Sequence, residues 1–172
     1  IAPYEYGDNI LGALLREAQF KAQELIPSSG MISTNDLVEP FEARNIHPRN
    51  KTTVGKRLCY LALTRTYGVK GIVDQGPIYQ SMEIKDGKAI ISFSNAPEGF
   101  SRMNGIEGFE VAGADKVFYP AVAVVDWNKH IIVSSDQVPQ PVAVRYAFKN
   151  FQPGNLHNHR EQPVFPFRTD NW

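Results

Sequence analysis

The spacing of apolar residues changes near residue 71, and this change divides the chain into two parts. Before it, apolar side chains recur every three or four residues in two stretches, which predicts amphipathic helices over 8–26 and 54–65. A short strand over 31–37 and a Pro-containing loop over 38–49 are predicted between them. Helix, strand, loop and helix in this order indicate an α/β segment.

Capping residues set the expected limits of these helices. Asp8 is predicted to cap the first helix, and Thr52 or Thr53 to cap the second. Tyr67-Gly68 then supplies a glycine-terminated end. This α/β part is too short to close a doubly wound sheet, so we interpret it as the end of a larger domain.

After residue 71 the period falls to two, and turn residues separate short runs of strand formers. Asp86-Gly87 predicts a tight hairpin, because both central positions of such a turn need positive φ. An extended tail, laid over other structure, is expected from Asn150 onward. The predicted fold class is α/β followed by all-β, with residues 1–70 ending an α/β domain and residues 71–172 forming a small β-sandwich with the tail. The predicted strands cover 77–85, 88–94, 106–112, 117–127, 130–135 and 142–148.

The amino-acid composition argues against nucleic acid and a membrane interior as binding partners. The 172 residues carry 18 Lys plus Arg and 18 Asp plus Glu, so no basic excess favours nucleic acid. The longest apolar run has six residues, far below the ~18 needed to cross a bilayer. The single cysteine, Cys59, lies in that run and is expected to be a buried core thiol. The chain starts at Ile1 with neither Met nor a signal segment, so we expect it to be part of a longer polypeptide.

His47 is the residue best placed for chemistry. It lies in the loop after the predicted strand, where ligands meet α/β enzymes, and its imidazole can exchange protons near neutral pH. No serine here has the sequence surroundings of an activated nucleophile, so a nucleophile working with His47 would lie outside the chain.

Other candidate groups give weaker signals. His157 and His159 with Glu161 could hold a metal, but their spacing favours a solvated loop, so neither a metal nor a cofactor is predicted. Four aromatic residues could stack on sugars, although strand alternation places most of them in the core. They are Tyr119, Trp127, Tyr146 and Phe148.

Several segments, in order along nearly the whole chain, resemble the carboxyl-terminal third of the sialate O-acetylesterase family, carbohydrate esterases of the Ser-Gly-Asn-His hydrolase superfamily. The principal matching segments are Leu15-Arg16-Glu17-Ala18-Gln19, Ile46-His47-Pro48-Arg49-Asn50-Lys51, Gly108-Phe109-Glu110-Val111-Ala112-Gly113, Pro141-Val142-Ala143-Val144-Arg145-Tyr146-Ala147 and Pro166-Phe167-Arg168-Thr169-Asp170.

The resemblance implies that residues 1–70 end a flavodoxin-like three-layer hydrolase domain and that His47 is the catalytic histidine. The nucleophilic serine would lie upstream, and the substrate would be an O-acetylated sialic acid or a related acetylated glycan. It also implies a secreted or periplasmic protein, or a lysosomal one in a eukaryote, that works without a cofactor. This chain alone is expected to be inactive.

One position departs from the family pattern, which has Asp two residues before the histidine where this chain has Asn45. Asn could still orient the imidazole by hydrogen bonding, but it would stabilise an imidazolium less. Asp36, Glu42 or a backbone carbonyl are alternative orienting groups, so the third member stays unassigned.

Two other readings stay open beside the esterase. The β-sandwich could be a noncatalytic module that binds carbohydrate or another partner, or the chain could be a folded fragment without activity of its own. A Gly-x-Ser-Asn motif in the upstream sequence would favour the esterase.

Overall fold

The computed structural model of the chain describes residues 1–7 and 9–172. Helix α1 spans Leu11–Leu25, helix α2 spans Lys51–Arg65, and a short 3-10 turn over Pro40–Glu42 lies in the loop between them. Both predicted helices and the predicted loop are therefore confirmed. The predicted cap Asp8 lies outside the described residues.

Helix α2 begins one turn earlier than its apolar pattern indicated. The side chain of Asn50 accepts a hydrogen bond from the Thr53 amide at 3.1 Å, so Asn50 is the cap and the prediction of Thr52 or Thr53 was wrong. The glycine-terminated end is confirmed, because Gly68 follows the helix with φ of +69°.

The predicted strand over 31–37 is wrong. A strand needs a neighbour for its backbone hydrogen bonds, and no described strand lies beside this segment. Its second half instead turns at Asn35 and Asp36, where the Leu37 amide donates to the Thr34 carbonyl at 3.2 Å.

The prediction that Cys59 is buried is also wrong, because its side chain is exposed. Helix α2 packs on the rest of the chain mainly through Arg57, its one fully buried residue, and the apolar run that contains Cys59 is largely uncovered. Helix α1 is similar: Leu11 and Leu25 of its apolar pattern are exposed.

Among the described residues, eight strands form two four-stranded antiparallel sheets. One sheet has the order β1-β2-β6-β5 and the other the order β4-β3-β7-β8. The strands are β1 (Ile78–Lys85), β2 (Lys88–Ser94), β3 (Phe109–Ala112), β4 (Phe118–Pro120), β5 (Val122–Val125), β6 (Ile131–Ser134), β7 (Ala143–Tyr146) and β8 (Phe167–Arg168).

The six predicted strand segments each contain a strand, and the hairpin at Asp86-Gly87 is confirmed with φ of +51° and +72°. Two details differ. The segment 117–127 breaks into β4 and β5, and the tail contributes β8, which its irregular pattern did not predict.

One hydrophobic core fills the space between the sheets, as in a sandwich. Ile91 and Ile131 come from the first sheet, and Val111 and Val144 come from the second. The tail lies over this structure as predicted and adds its own apolar side chains to the core, among them Leu156.

Several polar junctions attach the helical part to the tail and sandwich, and three of them involve Glu17, Asn150 and Asp36. The Glu17 carboxylate binds Arg168, with a shortest distance of 3.0 Å, and the side chain of Asn150 accepts from the Gly12 amide at 2.7 Å. The third junction joins Asp36 to His157 and is described below. No helix among the described residues is long and apolar enough to cross a membrane.

Candidate catalytic loop and its surroundings

Buried Glu42 fixes the shape of the loop that carries His47. Its carboxylate accepts hydrogen bonds from the Arg49 amide at 2.9 Å and from the Glu39 amide at 3.3 Å. The first bond closes the loop around residues 43–48, and the second caps the 3-10 turn reciprocally. The loop therefore has internal support although most of its side chains are exposed.

The N-terminal segment holds the same loop from outside. The Glu5 amide donates to the Ala43 carbonyl at 2.7 Å, and the Arg44 guanidinium binds the Glu5 carboxylate at 2.8 Å. Because the Arg44 side chain is exposed, this ion pair orients the N-terminal segment against the loop but contributes little to the stability of the fold.

His47 itself is exposed between Ile46 and Pro48. Its backbone amide donates to the side-chain oxygen of Asn45 at 2.9 Å, which sets the turn before the ring. Within residues 1–7 and 9–172, the imidazole has no hydrogen-bond partner. Both ring nitrogens are therefore available to a substrate or to another part of a protein.

Each candidate for orienting the imidazole is engaged elsewhere. The Asn45 oxygen binds backbone, the Glu42 carboxylate binds loop amides, and Asp36 binds Arg57 and His157. No backbone carbonyl of the described residues forms a hydrogen bond with the ring either. Among residues 1–7 and 9–172, no group therefore orients the His47 imidazole by a hydrogen bond.

Asp36 is the centre of a polar cluster that includes Arg57 and His157. The Arg57 guanidinium donates a hydrogen bond to each Asp36 carboxylate oxygen, both at 2.7 Å. Nε2 of His157 lies 2.9 Å from one of these oxygens. Nδ1 of His157 lies 3.2 Å from the Asn155 carbonyl, so both ring nitrogens face oxygen acceptors. Burial alone would raise the pKa of Asp36, but Arg57 and His157 outweigh it, and this pKa lies below its ordinary value.

No sequence pattern predicted this cluster. Asp36 lies 121 residues from His157, and the notable local pattern was the His157-x-His159 pair. No group of three metal-ligating side chains gathers among the described residues. His157 instead links the tail to the helical part, and His159 is exposed.

An apolar groove of about 490 Å³ opens beside the His47 loop, between the N-terminal segment and α1. Arg16 lies against it but is almost fully buried, and its guanidinium donates to the backbone carbonyls of Lys149 and Asn150. Burial lowers the pKa of Arg16 to about 10. The apolar lining includes Ile1, Pro3, Tyr6, Leu11, Leu15 and Ile46.

The four candidate sugar-stacking aromatics separate by burial. Tyr146 and Phe148 lie in the core and Tyr119 is half-buried, as the strand alternation indicated. Trp127 is different, because 97% of its surface is exposed in the turn between β5 and β6. It is the aromatic of this set that a ligand could reach directly.

No protein-family profile matches the chain, and no curated protein sequence matches it significantly. A solved structure does: the chain superposes with a TM-score of 0.86 and 36% identity on a carbohydrate acetylesterase from Xanthomonas citri. The match covers 99% of this chain and 40% of that protein. The chain thus spans less than half of the acetylesterase that it resembles, and the likeness includes both the helical part and the sandwich.

Proposed function

We propose that this chain is the histidine-bearing part of a carbohydrate esterase that removes O-acetyl groups, with sialic acids as the substrate class. The observation that carries the proposal is the likeness, over the whole chain, to a carbohydrate acetylesterase. The sequence resemblance to sialate O-acetylesterases supplies the finer substrate assignment. The exposed imidazole of His47, without a hydrogen-bond partner in the described part of the chain, supports its role as general base and acid.

In this proposal the reaction is an acyl transfer to a serine supplied by another part of the protein. His47 takes the serine proton while the serine oxygen attacks the acetyl carbonyl. The resulting intermediate then breaks its bond to the sugar oxygen, which receives the proton from His47. Water attacks the acetyl-serine with His47 again as base, releasing acetate and restoring the serine hydroxyl.

His47→Ala in the longer protein tests the role of the histidine. We expect the hydrolysis of O-acetylated sialic acid to fall by roughly 10²–10⁴-fold, because a positioned acid–base group contributes about that much. His159→Ala is the matched control, since His159 is another exposed loop histidine. Unchanged turnover by a folded His47→Ala variant would contradict the role of His47 as the general base and acid. Acetylated xylan as a parallel substrate tests the preference for sialic acid.

The 172-residue chain alone is expected to be inactive in the same assay. The proposal places its nucleophile elsewhere, and the ring of His47 has no serine partner among the described residues. Turnover by the purified chain would show that one of its own serines acts as the nucleophile.

A second candidate function is carbohydrate binding by the sandwich, which the exposure of Trp127 favours. Titration of the chain with sialosides tests it. If the sandwich binds sugar at this turn, Trp127→Ala abolishes saturable binding while Tyr119→Ala, at a half-buried aromatic, does not. No saturable binding by the unaltered chain would eliminate this candidate.

A further inference from the structure

Glu42 holds both ends of the segment 45–49, and His47 lies at the centre of that segment. The backbone carbonyl of Glu42 accepts a hydrogen bond from the Asn45 amide at 2.7 Å, and its carboxylate accepts one from the Arg49 amide at 2.9 Å. Between these two anchors, the side-chain oxygen of Asn45 accepts from the His47 amide at 2.9 Å. Three alternating amides of the segment are therefore bound to Glu42 or to a residue that Glu42 holds.

The Glu42 carboxylate is a buried charge without a close basic partner. Only 3% of the residue is exposed, and among the described residues the basic group within 4 Å is Nε of Arg49, at 3.9 Å on a largely exposed side chain. Asp36 and Asp170, in contrast, each receive two hydrogen bonds from an arginine. A buried carboxylate is costly unless its oxygens are hydrogen-bonded, and both oxygens of Glu42 bind loop amides, those of Glu39 and Arg49. This charge therefore sets the shape of the loop.

The position of the His47 ring depends on this backbone. Among residues 1–7 and 9–172 no group forms a hydrogen bond with the imidazole, so no side chain of this part fixes the ring directly. A side chain adopts one of a few staggered rotamers relative to its own backbone. A backbone fixed on both sides of His47 therefore limits the imidazole to a few directions.

We propose that Glu42 is a positioning residue for His47, which acts through the backbone of the loop and not through a hydrogen bond to the imidazole. This inference rests on the proposed function, in which His47 is the general base and acid. Proton transfer needs the ring within hydrogen-bond reach of the reacting hydroxyl, and a displacement of about 1 Å can cost roughly 100-fold in rate. By fixing residues 45–49 in advance, Glu42 places the imidazole for this transfer.

Glu42→Gln in the longer protein tests the proposal. Glutamine has nearly the same shape, but it offers one acceptor oxygen to two amides, and its NH2 group would face an N–H, so one of the two bonds is lost. We expect kcat for the hydrolysis of O-acetylated sialic acid to fall by roughly 10–100-fold, with KM unchanged within about twofold. A folded Glu42→Gln variant with the kcat of the unaltered protein would overturn the proposal.

Glu42→Asp separates the reach of this side chain from its charge. Aspartate keeps the charge and both acceptor oxygens, but it is one methylene shorter and cannot keep both bonds unless the backbone moves. If Glu42 acts by positioning, Glu42→Asp also loses kcat. Full activity of Glu42→Asp beside a weak Glu42→Gln variant would show that the charge is what matters and would overturn the proposal.

A double-mutant cycle with His47→Ala tests whether Glu42 acts through the histidine. Once the imidazole is absent there is no ring to position, so adding Glu42→Gln to His47→Ala should leave the residual turnover unchanged. If Glu42→Gln lowers kcat by the same factor with and without His47, its effect does not pass through the histidine, and the proposal is wrong.

Glu110→Gln is the matched control for a general loss of stability. Glu110 is also a buried carboxylate, but it lies on β3 of the sandwich, where it binds Lys149. Its substitution is expected to lower the thermal midpoint and to leave kcat per folded molecule unchanged. Equal losses of kcat in Glu42→Gln and Glu110→Gln would assign both effects to stability and overturn the positioning role.

The loop and the activity can fail separately. In the 172-residue chain, Glu42→Gln should speed hydrogen exchange of the Arg49 amide, because the bond that protects it is weakened. If that exchange responds but the longer protein hydrolyses no acetyl ester, the proposed function is wrong and the catalytic role of Glu42 falls with it. Esterase activity that depends on His47 but not on Glu42 would support the proposed function and overturn this inference.

Discussion

The carboxylate of Asp36 joins three distant parts of the chain at one point. It binds Arg57 of α2 and His157 of the tail, and the side chains of Asp36 and Arg57 are only 10% and 5% exposed. A bidentate arginine pair at such burial is strongly directional, and removal of one partner leaves a buried charge without compensation. The cluster is therefore a structural junction, and its loss should be measured as stability.

Asp36→Asn is predicted to lower the free energy of unfolding by about 3–5 kcal/mol at pH 7, the usual cost of breaking a buried ion pair from one side. Chemical denaturation of the 172-residue chain measures this value. Glu5→Gln is the control, because it breaks the solvent-exposed pair with Arg44 and should leave stability nearly unchanged. Equal effects of the two substitutions would contradict the junction role.

The same carboxylate predicts a pH dependence. The folded pKa of Asp36 lies below its ordinary value, so the unfolded chain takes up the proton first as the pH falls. The stability contribution is present above the ordinary aspartate pKa and is lost as the pH drops through the folded value. The stability difference between the unaltered chain and Asp36→Asn should therefore be constant from pH 7 to about 5 and shrink in more acidic solution. A difference that grows on acidification would contradict this sign.

Among the elements, local patterns predicted those stabilised by local interactions. The Asp86-Gly87 hairpin and both helices follow from dihedral preference and periodicity, and the structure has them. The segment 31–37 has strand composition, but a strand requires a neighbour that the described chain does not provide. The burial of Cys59 and the contact of Asp36 with His157 also depend on remote packing, which periodicity does not encode.

Gly76 shows how closely the tail packs on the start of the first sheet. A Cβ atom at Gly76 would overlap the carbonyl oxygen of Pro163, which is backbone and cannot rotate away. Gly76→Ala is therefore predicted to destabilise the chain by about 3 kcal/mol, the upper range for overpacking a rigid site. Thermal or chemical denaturation measures the change.

Gly55→Ala is the matched control for this substitution. Gly55 lies inside α2, and a Cβ there would meet no atom within 4 Å. Because alanine is the better helix former, the variant should gain about 0.5–1 kcal/mol. If Gly76→Ala left the free energy of unfolding unchanged, the tail would have to shift away from the new methyl group at no cost in stability.

The whole molecule has an uneven distribution of hydrophobic core. Every residue of the main core cluster lies between Ala89 and Phe167, within the sandwich and its tail. In the described helical part, the buried apolar residues are Pro3, Ala13, Leu37 and Val38. The predicted division at residues 70 and 71 thus separates a part with its own core from a part that depends on the sandwich for its ordered structure.

This imbalance predicts how the two parts behave when they are separated. Residues 71–172 are expected to fold alone, with a dispersed amide NMR spectrum and a cooperative thermal transition, because the sandwich retains its core. Residues 1–70 are expected to give a collapsed, coil-like spectrum, because four buried apolar side chains cannot offset the entropy of ordering about 70 residues. A dispersed spectrum from residues 1–70 would reveal an independent core there and would contradict this expectation.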